Sequence, residues 1–201
     1  MHKAVCCFLF FCSFSLSALT LEQLQQQLTT QKVIRGDFKQ SKNLQMFNQP
    51  LVSDGSFLLS HQEGLIWTQK NPFPVSLVLT KDKLRQQFSG QSAEIVEASD
   101  NPMVFYFSHL FLSLFKGDLA SLENQFSMTL TGDLQNTWIL HLTPKAAPLN
   151  KVFKEIDIKG SIQIEELLLV ELNGDSSVIE FSHIDQAQSN LTLQEKNAFE
   201  F

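Results

Sequence analysis

Apolar residues recur with a period of two through most of this chain, and that alternation decides what it can fold into, because it marks strands with one buried face. Phe57 and Leu59 share one side of a segment, Leu65 and Trp67 of the next, and Val75, Leu77 and Leu79 of a third. Across a Gly132-Asp133 turn the pattern repeats, with Phe126, Met128 and Leu130 facing Trp138, Leu140 and Leu142. Gly, Pro, Asn and Asp punctuate the rest. Strands are expected near 33–42, 52–61, 64–70, 75–80, 84–89, 126–131, 137–143, 155–159, 161–172 and 176–184, the last two joined by Asn173-Gly174-Asp175. Strands of this kind leave an apolar face that something must cover.

Two segments break the period and can supply the cover. Thr20, with Gln23 three residues on, has capping-box spacing for a helix over Leu21 to Thr30 that puts Leu21, Leu24 and Leu28 on one face. Pro102 opens a second helix that Gly117 stops, and apolar residues from Met103 to Phe115 occupy most of its circumference. A helix so apolar all round is buried. Asp118 caps a short turn through Leu122, and 148–153 reads as one helical turn. The expected fold is α+β: about ten or eleven antiparallel strands in a strongly curved sheet, with helices as a lid. The sequence shows no internal repeat, linker or low-complexity tract.

Composition narrows the function. Eighteen Phe stand beside 2 Trp and 1 Tyr, a large apolar volume with few polar handles. The net charge of −6 offers no basic footprint for a phosphate backbone, which excludes nucleic acid as the partner. Residues 1–18 read as an export signal: His2 and Lys3, an apolar run from Ala4 to Phe14, then small residues up to Ala18. That run is shorter than the roughly 20 residues a membrane span requires. One domain over 19–201 is expected after cleavage, located in the periplasm. Cys6, Cys7 and Cys12 all fall inside the signal, so disulfides, thiolate metal sites and a cysteine nucleophile are not expected in the product.

Catalytic patterns are not in evidence. His61, His109, His141 and His183 are dispersed, without the spacing of a metal site, and the sequence carries no GxSxG elbow or phosphate-cradling loop. Glu165 and Glu166 are adjacent in a strand, which would point them to opposite faces rather than at one bond. No catalytic residue, metal or cofactor is expected. What remains is the apolar inventory, which composition alone leaves open between a filled core and a fillable pocket.

Gly36-Asp37-Phe38-Lys39-Gln40, then Pro50 to Phe57, then Gly64-Leu65-Ile66-Trp67 with Pro72 beyond, resemble the outer-membrane lipoprotein carrier family, the LolA-like proteins. Phe115-Lys116-Gly117-Asp118-Leu119, Trp138 with Pro144, Asn173-Gly174-Asp175 and the terminal Phe199-Glu200-Phe201 extend the resemblance over nearly the whole chain. It implies an incomplete antiparallel β-barrel closed by helices, with an apolar interior that holds the acyl chains of a lipoprotein or other lipid in transit. By that resemblance Phe57, Trp67, Phe88, Phe126 and Trp138 in the cavity, and Phe107, Phe111 and Phe115 on the lid, contact lipid. A monomeric carrier with an inner-membrane donor and an outer-membrane acceptor follows from the same likeness. Where such proteins place an Arg that holds the lid shut, this sequence has His61, which marks a divergent branch. A membrane-associated acceptor of the same fold and a cofactorless acyl-ester hydrolase stand as alternatives.

Overall fold

The computed structural model of the chain describes residues 19–100, 102–185 and 187–201, together with the backbone but not the side chains of 102–104, 106–108 and 111. The segment expected to be an export signal, 1–18, and the side chains of Phe107 and Phe111 therefore lie outside the described residues.

In chain order the elements are α1 (Leu21–Leu28), β1 (Val33–Asn43), β2 (Leu51–Ser60), β3 (Gly64–Asn71), β4 (Val75–Leu79), β5 (Lys83–Phe88) and β6 (Glu94–Glu97). Then come α2 (Pro102–Phe115), α3 (Leu119–Glu123), β7 (Phe126–Gly132), β8 (Trp138–Pro144), a 3-10 turn (Leu149–Lys151), β9 (Phe153–Gly160), β10 (Ile164–Glu171), β11 (Ser176–Asp185) and α4 (Leu193–Ala198). The strands form one antiparallel sheet in the order β6-β5-β4-β3-β2-β1-β11-β10-β9-β8-β7. Sequence neighbours pair as hairpins, and the pairing of β1 with β11 joins the two halves. The sheet does not close on itself: β6 and β7 are its edges, and α2 and α3 connect them.

Local chemistry accounts for the helices. Thr20 and Gln23 exchange capping-box hydrogen bonds at 3.0 and 3.3 Å, satisfying two otherwise orphaned N–H groups of α1. The α2 helix ends where the Asp118 N–H donates to the Ser113 carbonyl at 2.8 Å and the Gly117 N–H to that of Leu114 at 3.1 Å, with Gly117 left-handed at φ 65°. The alternation sorts the sheet's two faces. Leu59, Leu65, Leu79, Leu140, Ile156 and Leu167 point inward and are buried, and Leu110, Leu112 and Leu114 of α2 pack into the same core. Across the outer face Lys39, Glu180, Glu166 and Lys159 stand opposite one another on four successive strands.

Three features depart from the expectation. Strand β6, the eleventh member of the sheet, forms at Glu94–Glu97, outside the expected strand ranges. A β-bulge between Ile164 and Glu166 lets Ile164 and Leu167 both turn inward, so Glu165 and Glu166 share the outside rather than taking opposite faces. Glu165 there accepts from the Ser161 hydroxyl. Third, the C-terminal arm after β11 returns over the outer face and makes a second apolar cluster, in which Phe199 packs with Val33, Leu58 and Val78.

Arg35 clamps that arm. Its Nε and Nη2 donate to the two carboxylate oxygens of Glu195 at 2.8 and 2.7 Å, while Nη1 and Nη2 donate to the carbonyls of Gln188 and Asn190 at 2.9 and 3.0 Å. The guanidinium holds the Glu195 carboxyl down to about 2, from an ordinary 4.5. A depressed carboxylate stabilises the folded form above its ordinary pKa, and that stabilisation is lost as pH falls from about 4.5 towards 2. Glu195→Gln should therefore loosen the arm at neutral pH. Limited proteolysis would show several-fold faster cleavage within 187–201 and little change in the melting of the sheet; unchanged cleavage would mean that Phe199 alone holds the arm.

Candidate functional site

The pairing of β1 with β2 sets Phe38 opposite Gly55 and Gly36 opposite Phe57. Neither glycine has room for a side chain. A Cβ on Gly55 would lie 2.0 Å from the Thr68 carbonyl oxygen and 2.9 Å from Phe38 Cε1, and one on Gly36 would lie 2.7 Å from Ile184 Cδ1 and 2.9 Å from Phe57 Cε1. Each ring thus lies over the glycine of the neighbouring strand. Phe38 reaches across β2 to stack on Trp67 of β3, with ring centroids 3.6 Å apart. Phe57 reaches the other way across β1 to meet Phe181 of β11 edge-on at 5.2 Å. Phe115, the last residue of α2, closes the group from above at 5.2 Å from Phe181 and 6.2 Å from Phe57.

Among the described residues, five aromatic side chains therefore fill the middle of the concave face, and none of the four Phe carries a polar atom on its side chain. Beside them a cavity of about 80 Å³ opens between α1, β1 and the β9–β10 turn, with Leu28, Ile34, Phe57, Phe115, Ile164 and Ile184 in its wall. That is well below the roughly 300 Å³ at which ligand pockets begin, so the rings themselves occupy this part of the interior.

His61 follows the last residue of β2, beside the C-terminal turn of α2. Burial lowers its pKa below the usual value; the Phe115 backbone opposes that by hydrogen bonding to the charged ring, and the Lys116 charge adds to it. Its Nε2 is buried without a hydrogen-bond partner. Lys116 is also pushed down, chiefly by burial, with Asp118 opposing and Lys81 reinforcing the shift. The lid helix thus ends on a neutral imidazole where the resemblance expects a guanidinium.

The remaining candidates separate. Trp138 and Phe126 lie on β8 and β7, with Trp138 completely buried and its indole N–H donating to the Ser161 carbonyl at 2.6 Å. Trp138 also packs so closely that a Cβ on Gly160 would lie 2.5 Å from its ring. Phe88 corrects the expectation of a cavity residue: it shares the concave face with Leu84 but is the last residue of β5 and stands 42% exposed at the rim. Phe38 and Phe181 were missed as site residues. Their signal was the small residue opposite a ring, Gly55 across from Phe38, which becomes readable only once the register is known. On the convex face His141 Nδ1 pairs with Asp157, and Thr143 Oγ1 lies 3.4 Å from His141 Nε2. This follows the order of a hydroxyl–imidazole–carboxylate triad, but the hydroxyl is beyond the roughly 3.2 Å of an activated nucleophile and stands on an exposed strand surface.

An unclosed antiparallel barrel whose aromatic concave face lies under a helical lid is the LolA-type architecture. The chain belongs to the family described as outer membrane lipoprotein carrier protein LolA-like, whose model matches residues 14–177, and that family is one of lipid and lipoprotein carriers. No curated protein sequence matches the chain. Among solved structures, a lipoprotein-sorting-type domain from Vibrio parahaemolyticus superposes with a TM-score of 0.50 at 9% identity, covering 90% of this chain and 97% of that one. The Pseudomonas aeruginosa MucA/MucB complex gives 0.51 at 13% identity, covering 87% of this chain and 58% of that one. A LolA superfamily protein from Nitrosomonas europaea gives 0.48 at 10% identity, covering 88% and 97%.

Two outcomes test the geometry. Gly55→Ala should lower stability by about 1–3 kcal/mol in a denaturant melt, since the new methyl meets backbone that cannot move aside. His61 gives a pH signature. An imidazole whose folded pKa is depressed binds fewer protons than in the unfolded chain, so stability should fall as pH drops below about 6.5. In His61→Gln that part of the slope should vanish; an unaltered slope would show that His61 does not carry it.

Proposed function

We propose that this protein is a periplasmic carrier that holds the acyl chains of a lipoprotein or other lipid beneath α2 and takes it from the inner to the outer membrane. The observation that carries the reading is the five-ring cluster: apolar, central to the concave face, and completed by Phe115 of the lid helix itself. Lifting α2 would remove one ring and uncover Phe57 and Phe181. Membership of a carrier family supports the same reading. On this reading residues 1–18 are a cleaved leader, 19–201 form the carrier domain, and Phe57, Trp67 and Phe115 are the principal lipid contacts. The protein acts as a monomer and catalyses nothing, with a donor complex in one membrane and an acceptor at the other.

The packed rings have an energetic role. Burying a 16-carbon chain at about 0.8 kcal/mol per methylene would give roughly 12 kcal/mol, which is too tight for ready release. In the empty protein the rings satisfy one another, and cargo must displace those contacts, so its net affinity falls by what the rings lose. A receiving partner then needs only a modestly better site. His61 fits this scheme as a weak latch, since a neutral ring holds the end of α2 less firmly than a guanidinium would.

Mass spectrometry of the protein isolated from its native periplasm should find an acyl lipid bound. Phe115→Ala gives the sharper test. It should cost the empty protein about 3–5 kcal/mol through the cavity left behind, and a saturating fatty-acid probe should restore part of that loss by filling the space. The rise in melting temperature on adding probe should then be larger in the variant than in the wild type. Equal rises in both, with no lipid found, would overturn the reading.

A further inference from the structure

Most of the large apolar side chains that stand exposed gather at one end of the sheet. Met46 and Phe47 lie in the β1–β2 loop at 80% and 50% exposure, Phe73 in the β3–β4 turn at 73%, Phe88 at the end of β5 and Leu172 just after β10. In the sheet order these hairpins are neighbours, so their tips follow one another every two strands, about 10 Å apart. The tips are held in place. The Gln45 N–H donates to Asp175 Oδ1 at 2.9 Å, tying the β1–β2 loop to the β10–β11 turn, and Gln69 Nε2 donates to the Phe73 carbonyl at 2.9 Å.

Charge is missing from these hairpin tips as conspicuously as apolar surface is present. Segments 44–50, 71–74 and 88–93 contain no ionisable side chain, and 172–175 contributes only Asp175, which is already engaged by Gln45 and Asn173. The turns at the opposite end of β2 to β5 carry His61, Glu63, Lys81 and Asp82, and on the near side charge returns beyond Leu172, where the β8–β9 connection carries Lys145 and Lys151. The apolar rim also continues into the site. Phe88 pairs with Val75, Leu77 follows on the same face, and Leu77 pairs with Trp67 of the ring cluster.

We infer that this rim is a membrane-contacting edge: the three hairpin tips bearing Met46, Phe47, Phe73 and Phe88 insert into the surface of a lipid bilayer, and an acyl chain passes from it along Val75 and Leu77 to Trp67. A bilayer is the occupant that the tips fit. Separate apolar knobs on ordered hairpins can each enter the acyl boundary, whereas ionisable groups there would carry a heavy desolvation cost, and the tips have dispensed with them. The chain's net charge of −6 gives no attraction to anionic lipid, so contact must be apolar and insensitive to salt. The path for lipid rests on the carrier reading above; the membrane contact does not.

The test is partition of the purified protein onto phosphatidylcholine vesicles by co-sedimentation, comparing wild type with the Phe47→Ser, Phe73→Ser double variant. Wild type should bind to the same extent when salt is raised roughly tenfold, and the double variant should bind on the order of 100-fold more weakly. Its melting temperature and its affinity for a fatty-acid probe in solution should match the wild type, because both tips lie outside the core. Equal vesicle binding by the two proteins, or binding abolished by salt, would overturn the inference. So would a wild type that takes up the probe but ignores vesicles, or a concentration-dependent dimer that the same variant dissolves. Vesicle binding without probe uptake would uphold the rim and refute the carrier reading instead.

Discussion

The concave face depends on one reciprocal arrangement, in which β1 and β2 each offer a glycine to the other's phenylalanine. Because Gly55 has no side chain, Phe38 can lie flat across β2 and stack on Trp67; because Gly36 has none, Phe57 can lie across β1 and reach Phe181. Two rings thereby bind four neighbouring strands, β3, β2, β1 and β11, through side chains as well as through the backbone ladder. Those rings give the end of the lid its seat, with Phe115 set against both Phe57 and Phe181.

Most of the secondary structure was legible because it is written in period. The paired strands around Gly132-Asp133 and the capped helix at Thr20 need only local rules, and both stand where the residues put them. What could not be read depends on distant partners. The charged stretch Glu94 to Glu97 has no apolar alternation of its own and becomes a strand by adding to β5. The C-terminal arm looks too polar to pack until Arg35, some 160 residues earlier, supplies a fork for Glu195. The site was half legible. Aromatic residues on the inward positions could be picked out from alternation, but which of them touch depends on register and on the two glycines. Phe88 shows the limit, since its face was right and its distance along the strand put it on the rim.

The two apolar clusters divide the labour of the sheet. Inside, the four Phe rings offer no side-chain polar atom to one another, an arrangement that can be exchanged for other apolar contacts at little cost in specificity. Outside, Phe199 and its neighbours are fastened by a bidentate ion pair and two carbonyl bonds, which fix one geometry. Strands that must keep their place while their inner lining changes are served by that contrast, because the arm braces β1, β2 and β4 from behind.

The pairing of β1 with β11 also governs how the fold is made. The first strand of the sheet finds one of its two partners only after the last strand has been produced, so the seam between the halves is the longest-range strand pairing of the sheet. Such topologies fold slowly, since a long loop must close before the contact rewards it. A chain delivered from its N-terminus holds the β11-facing edge of β1 unpaired throughout synthesis. That exposed strand is the part of the nascent protein most in need of a chaperone's protection.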